Sequence, residues 1–200
     1  MTDNQKFLQL VDEVQSCRIC EDVLPLGARP VFIVRPQARI LIVGQAPGIR
    51  VHNTGVTFND PSGDRLRKWL GVGREMFYHS PHLGILPMGF CYPGTGKSGD
   101  LPPRKECAVA WRERLLAVMP EVELTLLLGQ YAQQYHLGKR RKKNLTETAR
   151  AWEEYWPEYL PLPHPSPRNI AWLQRNPWLE GELIPVLQQR VQELLVPESG

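Results

Sequence analysis

The run Ala38-Arg39-Ile40-Leu41-Ile42-Val43 passes directly into Gly44-Gln45-Ala46-Pro47-Gly48, an apolar strand ending in a glycine-flanked turn. Aliphatic residues without polar alternation predict a strand buried on both faces, the mark of a parallel sheet covered by helices. A second such run, Val122-Glu123-Leu124-Thr125-Leu126-Leu127-Leu128, is closed by Gly129. Shorter candidates lie at 84–88, where Pro87 lacks the N–H for full pairing, and at 159–162. Helical spacing of apolar residues predicts helices over 4–16, 62–72, 104–119, 130–137, 145–155 and 180–195. Strands alternating with helices define an α/β chain. The expectation is one domain over residues 1–200, a three-layer α/β/α sandwich with a central, mostly parallel four-stranded sheet.

Two hundred residues, 42% hydrophobic and 22% charged, suit one globular domain with a real core. The net charge of +3 is compatible with a polyanionic partner without demanding one. Residues 1–15 carry Asp3, Asp12 and Glu13 and no continuous apolar core, so no signal peptide is expected. No stretch approaches the length of a membrane span, so no membrane partner is expected and the predicted address is cytoplasmic. Disulfides are rare there, and Cys17, Cys20, Cys91 and Cys107 need another explanation. The first two form a C-x2-C pair, and the last two flank a loop rich in Gly and Pro. Four thiolates suit either tetrahedral zinc or an iron–sulfur cluster, and spacing does not choose between them.

In open α/β folds, ligands bind beyond the carboxyl ends of the strands. Two stiff turns occupy such positions. In Gly44 to Gly48 the glycines let the backbone approach a ligand, and Pro47 fixes the path. The other turn, His164-Pro165-Ser166-Pro167-Arg168-Asn169, follows the last strand, and its prolines present His164, Ser166 and Arg168 on a rigid frame. Pro93-Gly94-Thr95-Gly96-Lys97-Ser98 mimics a phosphate-binding loop. It lacks the required leading glycine, and Gly99, Pro102 and Pro103 prevent the helix that should follow. The basic run Lys139 to Lys143 reads either as a solvated turn or as a phosphate contact.

Together, the two turns resemble the two signature motifs of the uracil-DNA glycosylase superfamily. The segment Thr54-Gly55-Val56-Thr57-Phe58-Asn59-Asp60-Pro61-Ser62-Gly63 is similar to that superfamily's pocket loop. The resemblance is closest to the bacterial and archaeal branches that carry an iron–sulfur cluster, while the second motif is more like the single-strand-selective branch. It covers nearly the whole chain and includes the cysteine pair and the sixteen-residue spacing of Cys91 and Cys107. It implies a 4Fe-4S cluster held by Cys17, Cys20, Cys91 and Cys107, with zinc as the fallback, and a monomer acting on DNA that contains damaged or deaminated bases.

The implied activity is hydrolysis of the N-glycosidic bond of a flipped base in base-excision repair, with uracil the first expected substrate and hypoxanthine, xanthine or an oxidised pyrimidine open. Phe58 would stack on the base, and Gly44, Ala46, Pro47 and Gly48 would cradle it. His164 would stabilise the departing base anion. Pro165, Ser166, Arg168 and Asn169 would engage the DNA, with Arg168 filling the vacated space. Gln45 can position water, and Asp60 is the candidate for orienting it or stabilising the sugar cation. An N-terminal helix cap is the alternative role for Asp60. Asp64 and His52 are lesser candidates. Relatives read uracil with an Asn where this chain has Pro87, so backbone N–H groups of Met88 and Gly89 are the expected substitutes. Some branches carry Asp or Asn where this chain has Ala46. A related branch attaches to DNA through a His in a basic loop, and residues 92–106 contain none. Two other classes remain: a catalytically weak, cluster-bearing lesion-binding protein, favoured by Ala46 and Pro87, and a zinc-stabilised hydrolase of nucleotides.

Overall fold

The computed structural model describes residues 2–97 and 99–195. Its strands are β1 (Ile40–Val43), β2 (Leu83–Ile85), β3 (Thr95–Gly96), β4 (Gly99–Asp100), β5 (Leu124–Leu128) and β6 (Tyr159–Leu162). The α-helices are α1 (Asp3–Gln15), α2 (Ile49–Thr54), α3 (Pro61–Leu70), α4 (Arg74–His79), α5 (Lys105–Cys107), α6 (Glu113–Ala117), α7 (Gln130–Leu137), α8 (Leu145–Arg150), α9 (Ile170–Arg175) and α10 (Ile184–Leu195). The main sheet has the order β2-β1-β5-β6, and every pairing within it is parallel. β3 and β4 form a separate antiparallel hairpin.

The alternation of β1 explains the layering. Ile40 and Ile42 face one core, where Leu66, Trp69 and Leu70 of α3 and Leu187, Val191 and Leu194 of α10 cover the sheet. Leu41 and Val43 face the other, covered by Leu10 and Val14 of α1, Leu115 of α6 and Ala132 and Leu137 of α7. Both sheet faces are therefore dry, as a parallel sheet requires. Each fully buried aliphatic side chain contributes about 1.5–3 kcal/mol through lost contact with water. Among the described residues no helix is long and apolar enough to cross a membrane.

Four local expectations change, the first being the helix expected over 180–195, which opens as a π-helical turn at Leu179–Leu183 and is α-helical from Ile184. The strand expected over 84–88 is regular only at Leu83–Ile85. Beyond it, Leu86 N donates to Ile42 O and Met88 N to Gly44 O, both at 2.9 Å, so the ladder steps over Pro87. The helix expected over 104–119 is divided by a π-helical turn at Ala108–Arg112. The helix expected over 145–155 ends at Arg150 and continues as a 3-10 turn, Trp152–Glu154. Ser98, the last residue of the phosphate-loop mimic, lies outside the described residues.

Candidate active site

The strand order reverses between β1 and β5, and the crevice outside their carboxyl ends is where such a sheet takes a ligand. A cleft of about 410 Å³ opens there. It is lined by the whole turn Gly44 to Gly48, by Phe58, Asp60 and Ser62, by Pro87, and by His164 and Ser166 to Asn169. The size falls within the range of ordinary small-ligand pockets, about 300–1,000 Å³. The two turns thus converge on one site.

Phe58 is the one described non-glycine residue at positive φ, 51°. Its carbonyl oxygen accepts from Arg67 Nη1 at 3.2 Å and from Tyr78 Oη at 3.3 Å. The Arg67 guanidinium lies over the rings of Phe77 and Tyr78. Gly63, in the first turn of α3, lets the helix pack onto Phe58: a Cβ there would lie 1.7 Å from the Phe58 oxygen. Asp60 caps the same helix, its Oδ1 accepting from Gly63 N at 2.9 Å. It is both a helix cap and a wall of the cleft.

His164 stands opposite. Its ring is 6.4 Å from that of Phe58, with the planes inclined by 26°, so the two rings bound the same space. Asn169 Nδ2 donates to His164 O at 2.7 Å. Arg65 Nη1 donates to the Pro165 and Ser166 oxygens, each at 3.1 Å, and Arg168 N donates to Ser166 Oγ at 3.3 Å. These bonds hold the turn in place. Burial pushes the imidazole below its ordinary range, while Asp60 and Asp100 pull it upward. The ring is neutral at pH 7, with one N–H to donate.

Asp100 went unremarked in the sequence because it lies in a Gly/Pro loop without strand-like patterning. The β3–β4 hairpin folds it over the cleft. Gln45 Nε2 donates to Leu101 O at 3.1 Å, so this side chain anchors the hairpin. The Arg168 guanidinium lies on Gly99, where a Cβ would come within 1.7 Å of Nη1.

Other expected residues stand elsewhere. The N–H groups of Met88 and Gly89 donate to Gly44 O and Gln45 O, each at 2.9 Å. They belong to the ladder, and neither is free to read a base edge. Pro165 is buried and does not line the cleft. Asp64 points outward and pairs with Arg67 at 2.6 Å. His52 is buried on α2, outside the cleft lining, and burial lowers its pKa. In the basic run, Lys142 Nζ donates to Glu154 at 2.5 Å and Arg140 lies over the ring of Tyr155.

The four cysteines, all unbridged, line one small enclosed cavity together with Leu24, Ala28, Pro30, Phe90 and Arg104. Burial pushes the Cys91 thiol up to about 12 and the Cys107 thiol to about 11, and the neighbouring sulfurs add to both shifts. Trp111 Nε1 donates to Cys17 Sγ at 3.3 Å. Among the described residues no group of three or more His, Cys, Asp or Glu is placed to hold a metal ion. Four thiols lining one cavity match a thiolate-held cluster in donor type and number.

In fold, the chain is similar to a solution NMR structure from Methanosarcina acetivorans, provisionally described as a uracil DNA glycosylase. The two are 16% identical with a TM-score of 0.47, over 80% of this chain and 97% of that one. The family model of the uracil DNA glycosylase superfamily matches residues 32–188, a span holding both turns and the pocket loop between them. With that match over most of its length, the chain belongs to the uracil DNA glycosylase superfamily.

Proposed function

We propose that this protein is a DNA glycosylase that hydrolyses the N-glycosidic bond of a flipped, deaminated base, uracil being the first candidate. The observation that carries this reading is the convergence of the two turns on one cleft, with Phe58 and a neutral His164 bounding the same space. An enzyme acting on a base must extrude it from the stack, which costs a few kcal/mol. Phe58 offers a face for stacking, and its backbone is fixed before any ligand arrives.

Cleavage leaves negative charge on the departing base and cationic character on the sugar. The His164 N–H donates to the base carbonyl oxygen on which that charge develops, and a donor of this kind is worth about 10²–10³ in rate. Asp60, held by Gly63 N–H, supplies a fixed negative charge towards the sugar. Ser166, Arg168 and Asn169 lie at the cleft rim, where DNA would enter, with Arg168 reaching across to the hairpin.

The four cysteines would hold a 4Fe-4S cluster that ties the segment after α1, with Cys17 and Cys20, to Cys91 in the loop after β2 and to Cys107 at the end of α5. Its task there is structural, because cluster assembly joins parts of the chain distant in sequence. A different class of protein, a lesion binder with weak catalysis, draws support from the committed N–H groups of Met88 and Gly89.

Oligonucleotides carrying uracil, hypoxanthine or xanthine, single- and double-stranded, separate the two after alkali treatment. Scission at the lesion supports the glycosylase. Tight binding without scission of any substrate supports the binder.

A further inference from the structure

We propose that Asp100 is the catalytic residue that takes the proton from the attacking water. This inference rests on the glycosylase reading above. The turn Gly44 to Gly48 contains no acid or base of its own. Asp100, carried by the β3–β4 hairpin, places a carboxylate against that turn: a Cβ on Gly48 would lie 3.4 Å from its Oδ2. Its other oxygen, Oδ1, accepts from Thr95 Oγ1 at 3.3 Å, and Thr95 Oγ1 lies 2.6 Å from Tyr92 Oη. Gln45, from the first turn, bonds the chain just after that hairpin at Leu101 O, and the Arg168 guanidinium, from the second, packs on Gly99 within it. Asp60 and Asp100 are the two carboxylates whose charges act on His164. Each has one oxygen held, Asp60 by Gly63 N–H and Asp100 by Thr95 Oγ1, but Asp60 is half-buried whereas Asp100 is exposed, so a water reaches its other oxygen more readily.

The step balances without any further reactant. The oxygen of one water bonds to C1′ as the C1′–N bond breaks. The electron pair of that bond leaves on the base, whose carbonyl oxygen is held by the His164 N–H. The water's proton passes to the Asp100 carboxylate and from there to solvent. The base anion takes up a proton from solvent, so the products are the free base and a sugar bearing a 1′-hydroxyl.

The test uses the full chain in single-turnover reactions on an oligonucleotide carrying whichever of uracil, hypoxanthine or xanthine the unaltered protein releases. D100N should slow release by about 10²–10⁴, the usual worth of a general base, with oligonucleotide affinity changed by no more than about twofold. D100A should recover about tenfold or more in added formate, which supplies the missing carboxylate, while H164A should not recover. A merely structural Asp100 would not respond to formate. Release by D100N within about threefold of the unaltered protein, or a slow D100A that formate leaves unchanged, would overturn the assignment. If the unaltered protein releases none of the three bases, the glycosylase reading itself fails and takes this proposal with it.

Discussion

Phe58 at φ 51° occupies a left-handed conformation that costs a non-glycine residue about 1–2 kcal/mol. Arg67 and Tyr78 hold its carbonyl, and such strain persists where surrounding contacts over-determine it, commonly at a ligand site. Its neighbour Asp60 invites a separation of roles. Asn also accepts from Gly63 N–H, so D60N keeps the helix cap and loses only the charge. Melting should stay near that of the unaltered protein while base release falls. D60A removes both and should also lose about 0.5–2 kcal/mol in urea unfolding. If D60N releases base at the unaltered rate, Asp60 is a cap and nothing more. Gly63 allows a sharper test, because a methyl group there would meet the Phe58 oxygen at 1.7 Å. Gly63→Ala should destabilise by about 1–3 kcal/mol or more and weaken base release by displacing the ring. Unchanged melting together with unchanged release would refute this packing.

At the scale of elements, the strands were legible where burial on both faces left long aliphatic runs, as in β1 and β5. β2 was blurred by Pro87, because the ladder resumes after it without regular geometry. The π turn at Ala108–Arg112 was not legible, since these residues are acceptable in a helix. What distinguishes the segment is a distant contact: Arg112, fully buried, donates to Leu86 O at 3.2 Å and Pro87 O at 2.5 Å. The two turns were legible from their places at strand ends and their stiff, polar make-up, whereas Phe58 entered only through the family resemblance of its loop; the fold lines one cleft with all three. It was not legible in Asp100, because two-residue strands leave no periodic trace and the meeting with His164 is made only by the fold. The reverse error, Met88 and Gly89, came from treating backbone donors as free when a parallel ladder uses them.

Across the whole molecule, pH should act through buried imidazoles. Burial, with the positive Arg112 nearby, lowers His136 to about 4, against 6.5 for an ordinary histidine. Between those values the unfolded chain binds a proton that the folded chain excludes. Stability is therefore fully present above pH 6.5 and declines towards pH 4, by at most about 1.4 kcal/mol per pH unit from this residue. Urea midpoints measured at successive pH values should show the decline, with a shallower slope in His136→Phe. Equal slopes would mean that His136 is not the group responsible. The cysteine cavity makes a second prediction at this scale. If the four thiolates hold a cluster, Cys17→Ala should lower iron and acid-labile sulfide below about four of each per chain. It should also lower the melting temperature more than the rate of base release. A Cys17→Ala protein that melts normally and releases no base would contradict a structural role.

The most direct measurement is chromatography of free base released from a uracil-bearing oligonucleotide by the unaltered protein and by His164→Ala. The account predicts stoichiometric uracil from the first and a rate about 10²–10³ lower from the second, at similar oligonucleotide affinity. Equal rates from the two proteins would contradict it, because the cleft between the turns would then not be where the glycosidic bond is broken.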